Sequence, residues 1–264
     1  MKKTVAVILT LCILMLSVFS VSAASNLEGS CGANLKWSYD SGTKTLTITG
    51  AGAMDNYYSN RKVPWRSIRE EVEHISFPNG LTSIGDYAFY GFTNLKELNI
   101  PSTVKTIGNG TFSVCTSLKE VTLPNGVQDL AGWVFASCTS LEKITIPSSV
   151  TNINYECFLN CPSLMDVSIP AGNVSLGVFS FGYNASHAYN YGMILRGVPG
   201  SQVQSYAGNN FLNFVSIYAN STSAPATKSA MVGQSTSSFD LRNADYNGDG
   251  KLSARDCLLA KKVG

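Results

Sequence analysis

The densest set of metal-seeking oxygens lies in Asp245-Tyr-Asn247-Gly-Asp249-Gly250-Lys251-Leu-Ser253-Ala-Arg-Asp256. Asp245, Asn247 and Asp249 alternate at loop positions 1, 3 and 5, a spacing that turns three side-chain oxygens toward one point, as hard Ca²⁺ requires. Gly250 stands at position 6, where such a loop turns sharply. Lys251 offers its carbonyl at position 7, Ser253 serves at position 9 directly or through water, and Asp256 replaces the usual Glu at position 12. The expectation is a Ca²⁺ site; the competing reading is an acidic turn without metal.

The rest of the chain is poor in catalytic groups. His74 and His187 are the two histidines, and no G-x-S-x-G elbow, H-E-x-x-H pair or phosphate-cradling glycine loop accompanies them. Both histidines are expected at the surface, His74 ahead of a strand at Ile75-Ser76-Phe77 and His187 in a Tyr-rich turn. Glu70, Glu71 and Glu73 are clustered, but adjacent acids read more simply as a solvated face than as a glycosidase pair. The expectation is a protein that is not an enzyme.

Lys2 and Lys3 precede an apolar run from Val5 to Phe19 and a small-residue site at Val21-Ser22-Ala23, the pattern of a secretory leader. Losing both lysines leaves 17 basic and 17 acidic residues, a balance that argues against nucleic acid or an anionic membrane as partner. No later segment is apolar and long enough to span a bilayer. Charged residues make up 14% of the chain, well below the roughly 25% of ordinary domains.

A repeat explains that depletion and supplies the scaffold. Pro78, Pro101, Pro124, Pro147 and Pro170 share a period of 23 residues with Phe89, Phe112, Phe135, Phe158 and Phe181. Leu95, Leu118, Leu141 and Leu164 follow the same period, as do Ile84, Ile107, Leu130, Ile153 and Leu176. A fixed period of this size marks a solenoid. Leu98 and Ile100 alternate with polar residues as in a half-buried strand. Pro101 ends that strand, Val104 and Ile107 turn back inward, and Phe112 sits in the turn that closes the coil.

In a parallel stack, equivalent residues become neighbours about 4.8 Å apart, so a repeated charge would build a repulsive column. Asn99, Thr122, Thr145 and Ser168 form one exposed column, which fits either a hydroxyl-rich ligand face or polar residues that merely tolerate stacking. Glu97, Glu120, Lys143 and Asp166 form another. Cys115, Cys138 and Cys161 share one repeat position and read as a ladder of small apolar residues; Cys157 and Cys161 lie close enough to bridge, but their repeat positions do not call for it.

The runs "ISFPNGLTSIGDYAFYGFTNLKELNIPSTVKTIG" and "SCTSLEKITIPSSV" resemble BspA-type leucine-rich repeats. The resemblance covers about Cys31 to Tyr218, including a hairpin over Ser41-Gly42 and a degenerate final repeat, "GVPGSQVQSYAGNNFLNFVSI". It implies a secreted or surface adhesin or binding scaffold. Asp256 followed by "CLLAKKVG" resembles a type I dockerin repeat, of which that family has two and this chain one. The likeness implies that Ala254 and Arg255, with the basic pair Lys261 and Lys262, contact a cohesin; Ala254-Arg255 departs from the Ser/Thr pair of many dockerins.

The expected fold is a β-rich α/β leucine-rich-repeat solenoid of 23-residue coils with an N-terminal β-hairpin cap, a disordered linker and a small EF-hand-like loop–helix. Its expected divisions are a signal peptide at 1–23, the β cap at 24–70, the solenoid with its degenerate C-terminal cap at 71–218, a Ser/Thr/Ala-rich linker at 219–239 and the calcium loop and helix at 240–264. The expected function is a secreted, non-catalytic binding solenoid held to a cohesin-bearing scaffold, with a carbohydrate or cell-surface ligand, in the setting of polysaccharide degradation. A free surface adhesin with a vestigial calcium loop and an accessory part of a glycoside hydrolase system are the alternatives.

Overall fold

The computed structural model of the chain describes residues 27–57, 62–189 and 192–218. It opens with three antiparallel strands, β1 (Leu27–Gly32), β2 (Leu35–Asp40) and β3 (Thr45–Ala53). Trp37, Tyr39, Leu46 and Ile48 alternate with polar neighbours and are buried, so the period-two pattern gives this sheet one apolar face. Strand β3 changes partner along its length. Thr45 to Thr47 pair in parallel with β4 (His74–Ser76), and Ala51 to Ala53 pair in parallel with β5 (Gly80–Ile84). The bend between the two halves falls at Gly50 (φ 100°), where a Cβ would lie 2.0 Å from the Asn34 carbonyl oxygen. His74 lies within β4, where the sequence pattern places it just ahead of the strand; it is exposed.

Beyond β4 each coil contributes two short strands to two sheets. One sheet continues β3-β5 through β7 (Thr106–Ile107), β9 (Asp129–Leu130), β11 (Asn152–Ile153) and β13 (Ser175–Leu176). The other runs β6 (Glu97–Asn99), β8 (Glu120–Thr122), β10 (Lys143–Thr145), β12 (Asp166–Ile169), β14 (Ile194–Gly197) and β15 (Asn213–Ser216). All pairs from β6 onward are parallel, and partners such as Glu97↔Glu120, Lys143↔Glu120 and Asn152↔Asp129 lie 23 residues apart. The backbone bonds therefore run between coils, and no coil satisfies its polar groups alone. Each proline starts the turn between the two strands of its coil: Pro101, Pro124 and Pro147 accept the N–H of Val104, Val127 and Val150 at 3.1–3.2 Å.

The core is a single column of apolar side chains between the sheets. Phe89, Phe112, Phe135, Phe158 and Phe181 are buried and stack face to face, with centroids 5.5, 5.7, 5.5 and 4.8 Å apart. Trp65 extends the stack on Phe89 at 5.4 Å and meets Trp37 edge-on at 5.7 Å. At the other end Tyr206 meets Phe181 edge-on at 6.4 Å, while its hydroxyl bonds to the Phe181 N–H and carbonyl. Edge-on rings terminate the stack at both ends, on the antiparallel sheet and on helix α1 (Gln202–Asn209).

Regularity ends after Phe181. The step from Asp166 to its partner Ile194 is 28 residues and from Ile194 to Asn213 is 19. The longer step keeps Phe181 in the column and then runs through exposed residues 184–188, and the shorter one is closed by α1.

Candidate ligand-binding faces

The β6–β14 sheet carries the column Asn99, Thr122, Thr145 and Ser168 in register, all exposed, with Arg196 aligned next to Ser168. The adjoining column pairs its charges where signs allow: Lys143 Nζ lies 2.6 Å from Glu120 Oε1, and Arg196 donates to both Asp166 oxygens at 2.6–3.0 Å. Glu97 remains beside Glu120. A shallow groove runs past Glu142, Lys143, Thr145, Asp166, Ser168 and Arg196. Such exposed pairs contribute little stability, so this face is free to have been shaped by solubility as much as by a ligand.

The turn face is different. Each coil closes through a left-handed residue in one column: Tyr87, Gly110, Trp133, Glu156 and Phe179, with φ between 53° and 58°. The conformation is imposed by the stack, because each N–H reaches a carbonyl of the next coil: Tyr87 to Asn109 at 2.8 Å, Gly110 to Gly132 at 2.9 Å, Trp133 to Tyr155 at 3.3 Å and Glu156 to Val178 at 3.0 Å. A residue with a Cβ there costs roughly 1–2 kcal/mol, and bulky side chains at positive φ are outliers. Glycine would fit without cost, yet three of the five positions hold aromatic rings.

Those rings assemble a strip. Tyr87 leans forward over Gly110, and Tyr155 leans back over Gly132; a Cβ at either glycine would lie 2.6 Å from the ring above it. The two tyrosines thus bend toward each other over adjacent coils. Trp133 meets Tyr155 at 4.6 Å and 88°. The Trp133 Nε1–H donates to Glu156 Oε2 at 2.6 Å, and His187 Nε2 lies 3.3 Å from Glu156 Oε1, so both carboxylate oxygens are engaged. Phe179 continues the strip, 4.5 Å from His187 and 4.8 Å from Tyr183, which in turn lies 4.9 Å from Tyr189. Tyr155 is 38% exposed and Val178 66%. Burial first, then the nearby Tyr155 and Asp86, raise the Tyr87 phenol above its ordinary pKa, so it stays neutral. The sequence held the signal for this strip, since Tyr87, Trp133 and Phe179 stand two repeats apart, but the column is obscured by Gly110 and Glu156 between them.

The acidic cluster is occupied by ion pairs and hydrogen bonds. Glu73 takes Lys44 Nζ at 2.6 Å and also bonds Lys96; hydrogen bonds from both lower its pKa to about 2. Glu70 pairs with Arg69 at 3.3 Å, and Glu71 accepts the Tyr39 hydroxyl at 3.3 Å. The cysteines Cys31, Cys115, Cys138, Cys157 and Cys161 are buried free thiols, so Cys157 and Cys161 are unbridged. The Sγ of Cys115, Cys138 and Cys161 each donates to a phenylalanine carbonyl 26 residues earlier, at 3.1–3.5 Å. Among the described residues no three His, Cys, Asp or Glu side chains converge as a metal site, and no helix is long and apolar enough to cross a membrane. The expected calcium ligands Asp245, Asn247, Asp249, Lys251, Ser253 and Asp256, and the expected cohesin contacts Ala254, Arg255, Lys261 and Lys262, lie outside the described residues, as do the leader and the linker.

No curated protein matches the chain. Among solved structures it is similar to a leucine-rich repeat protein from Eubacterium ventriosum, at 15% identity over 65% of this chain and 66% of that one, with a TM-score of 0.38. It is similar to a leucine rich cell surface protein from Faecalibacterium prausnitzii at 21% identity, over 67% of this chain and 56% of that one, TM-score 0.41. A leucine rich repeat protein of T. pallidum matches at 22% identity over 56% and 86%, TM-score 0.35. The chain thus spans less than two thirds of the length of the first two. The family model for the BspA type leucine rich repeat region matches residues 68–187 in six copies. Those coils, stacked in parallel around a phenylalanine column, make residues 68–187 a BspA-type leucine-rich-repeat solenoid.

Proposed function

We propose that the chain is an extracellular, non-catalytic binding and adhesion solenoid whose C-terminal loop, Asp245 to Asp256, binds Ca²⁺ and docks it to a cohesin-bearing scaffold. The observation that carries the binding half is the parallel stack itself. It holds exposed hydroxyl-bearing side chains on one sheet, and half-buried aromatic ones with the exposed Tyr155 on the turn face, in fixed register along one axis, and extended surfaces of this kind are what solenoids offer to ligands. The leader sequence supports export, and the loop's oxygens at positions 1, 3, 5, 7, 9 and 12 support Ca²⁺. The setting is a scaffolded complex acting on polysaccharide.

The test uses the full secreted chain. Adhesion to immobilised cell surfaces and extracellular polymers measures the binding half. Capture by immobilised cohesin, with Ca²⁺ and with chelator, measures the docking half. Calcium-dependent capture lost in Asp245→Ala supports docking; capture indifferent to calcium, or none, removes it and leaves adhesion standing by itself.

A further inference from the structure

We infer that the aromatic turn face, centred on Tyr87, Trp133 and Tyr155, is a binding strip for a neutral polysaccharide chain. This rests on the binding reading above and narrows it to one face and one ligand class. Three observations converge. First, the left-handed column would accept glycine without strain, as it does at Gly110, but carries Tyr87, Trp133 and Phe179 at φ 55–58°. The coil needs the conformation and not the rings, so the rings answer to something other than coil closure. Second, the rings are positioned from outside the core: Tyr87 and Tyr155 rest on Gly110 and Gly132, and Glu156 holds the Trp133 indole by its N–H. Third, the strip follows the solenoid axis. From the Tyr87 coil to the Phe179 coil is four steps, roughly 19 Å at strand spacing, the reach of a short run of hexose units.

The chemistry selects the ligand. Aromatic faces carry negative quadrupole and favour C–H groups laid against them, and sugar rings present C–H on one face and hydroxyls around the rim. The phenol groups of Tyr87 and Tyr155 donate and accept hydrogen bonds at that rim. Of the carboxylates at the strip, Glu156 has both oxygens bound and Asp86, near Tyr87, accepts the Asn109 N–H, while no lysine or arginine is among the residues that build it. A neutral chain is therefore matched and an anionic one is not.

The experiment is calorimetric titration of the full chain with cellohexaose, mannohexaose and xylohexaose, and with a heparin hexasaccharide as the anionic comparison. Tryptophan emission is followed in parallel, since Trp37 and Trp65 are buried and Trp133 lies on the strip. The expected result is binding to at least one neutral hexasaccharide with a shift in emission. Affinity falls at least tenfold in Tyr155→Ala and in Tyr87→Gly, the second of which removes a ring while relieving its backbone. Both variants keep a cooperative unfolding transition, and Lys36→Ala, at an exposed position of β2 away from both faces, keeps full affinity. The inference is overturned if affinity survives in both aromatic variants, if it is lost in Thr122→Ala/Thr145→Ala on the sheet face instead, or if only heparin binds. If no glycan binds while the chain adheres to protein-coated surfaces, the strip is refuted and adhesion stands; if it binds no surface at all, both readings fall.

Discussion

Removing two neighbouring rings from the phenylalanine column tests how the stack is held together. Phe135 is fully buried and stacks on Phe112 at 5.7 Å and on Phe158 at 5.5 Å. Each aromatic pair contributes about 0.5–1.5 kcal/mol beyond area burial, so Phe135→Leu, which keeps most of the apolar volume, loses two pairs and about 1–3 kcal/mol. Phe158→Leu likewise loses its pairs with Phe135 and Phe181. The two substitutions share one pair, and the double variant cannot lose it twice. Its destabilisation should therefore fall short of the sum by about 0.5–1.5 kcal/mol. Phe112→Leu with Phe158→Leu shares no pair and should add within about 0.5 kcal/mol. Urea unfolding of the full chain gives all these values, provided the slope of stability on urea is unchanged. Additivity at the adjacent pair, or equal coupling at the separated pair, would refute nearest-neighbour stacking as the source of cohesion.

Three further outcomes follow from local geometry. Val114 is β-branched at φ 63°, while Gly91, Ser137 and Asn160 hold the equivalent left-handed position in other coils. Val114→Asn should gain about 1 kcal/mol in urea unfolding, and a loss would show that Val114 packing outweighs its strain. Burial raises the thiol pKa of Cys138, Cys157 and Cys161, and burial with Asp55 raises Cys31 to about 11. With Cys115 also buried, these five should resist Ellman's reagent at pH 8 until the chain unfolds, and fast labelling of any of them in native buffer would contradict the packing. Glu73 has a folded pKa depressed to about 2 from 4.5, so its stabilisation is complete above pH 4.5 and lost as pH falls through about 2. Glu73→Gln should flatten the fall in Tm across that window, and an unchanged fall would mean the Lys44–Glu73–Lys96 bridge does not contribute.

The column positions were the legible part of the sequence. Phenylalanine recurs there because each ring stacks on its own copy in the next coil, and proline because each coil repeats the same turn, so chemistry is copied with the period. The left-handed turn column was not legible, because a backbone requirement set by the stack is met by residues as different as Gly110, Glu156 and Trp133, the last two at a cost, and no residue type reveals it. The two-sheet role of β3 was hidden as well: its segment reads as one arm of a hairpin, whereas Gly50 lets the strand pass from β4 to β5. Helix α1 replaces the last turn where the repeat decays, and "QVQSYAGN" has weak helical patterning of its own. Its reason for folding is tertiary: Tyr206 closes the aromatic stack.

Removal of one whole coil tests the central claim, that successive 23-residue turns pile in register on one axis. Deleting residues 120–142 joins Lys119 to Lys143 and brings Asn99 into register with Thr145, the same contact types as before. The shortened chain should unfold cooperatively with a reduced urea slope and intact strand signal. Deleting 120–141 instead leaves every later strand one residue out of step, turning Ile144 and Val167 outward, and should abolish cooperative folding. Equal behaviour of the two deletions, whether both fold or both fail, would contradict the stacked solenoid.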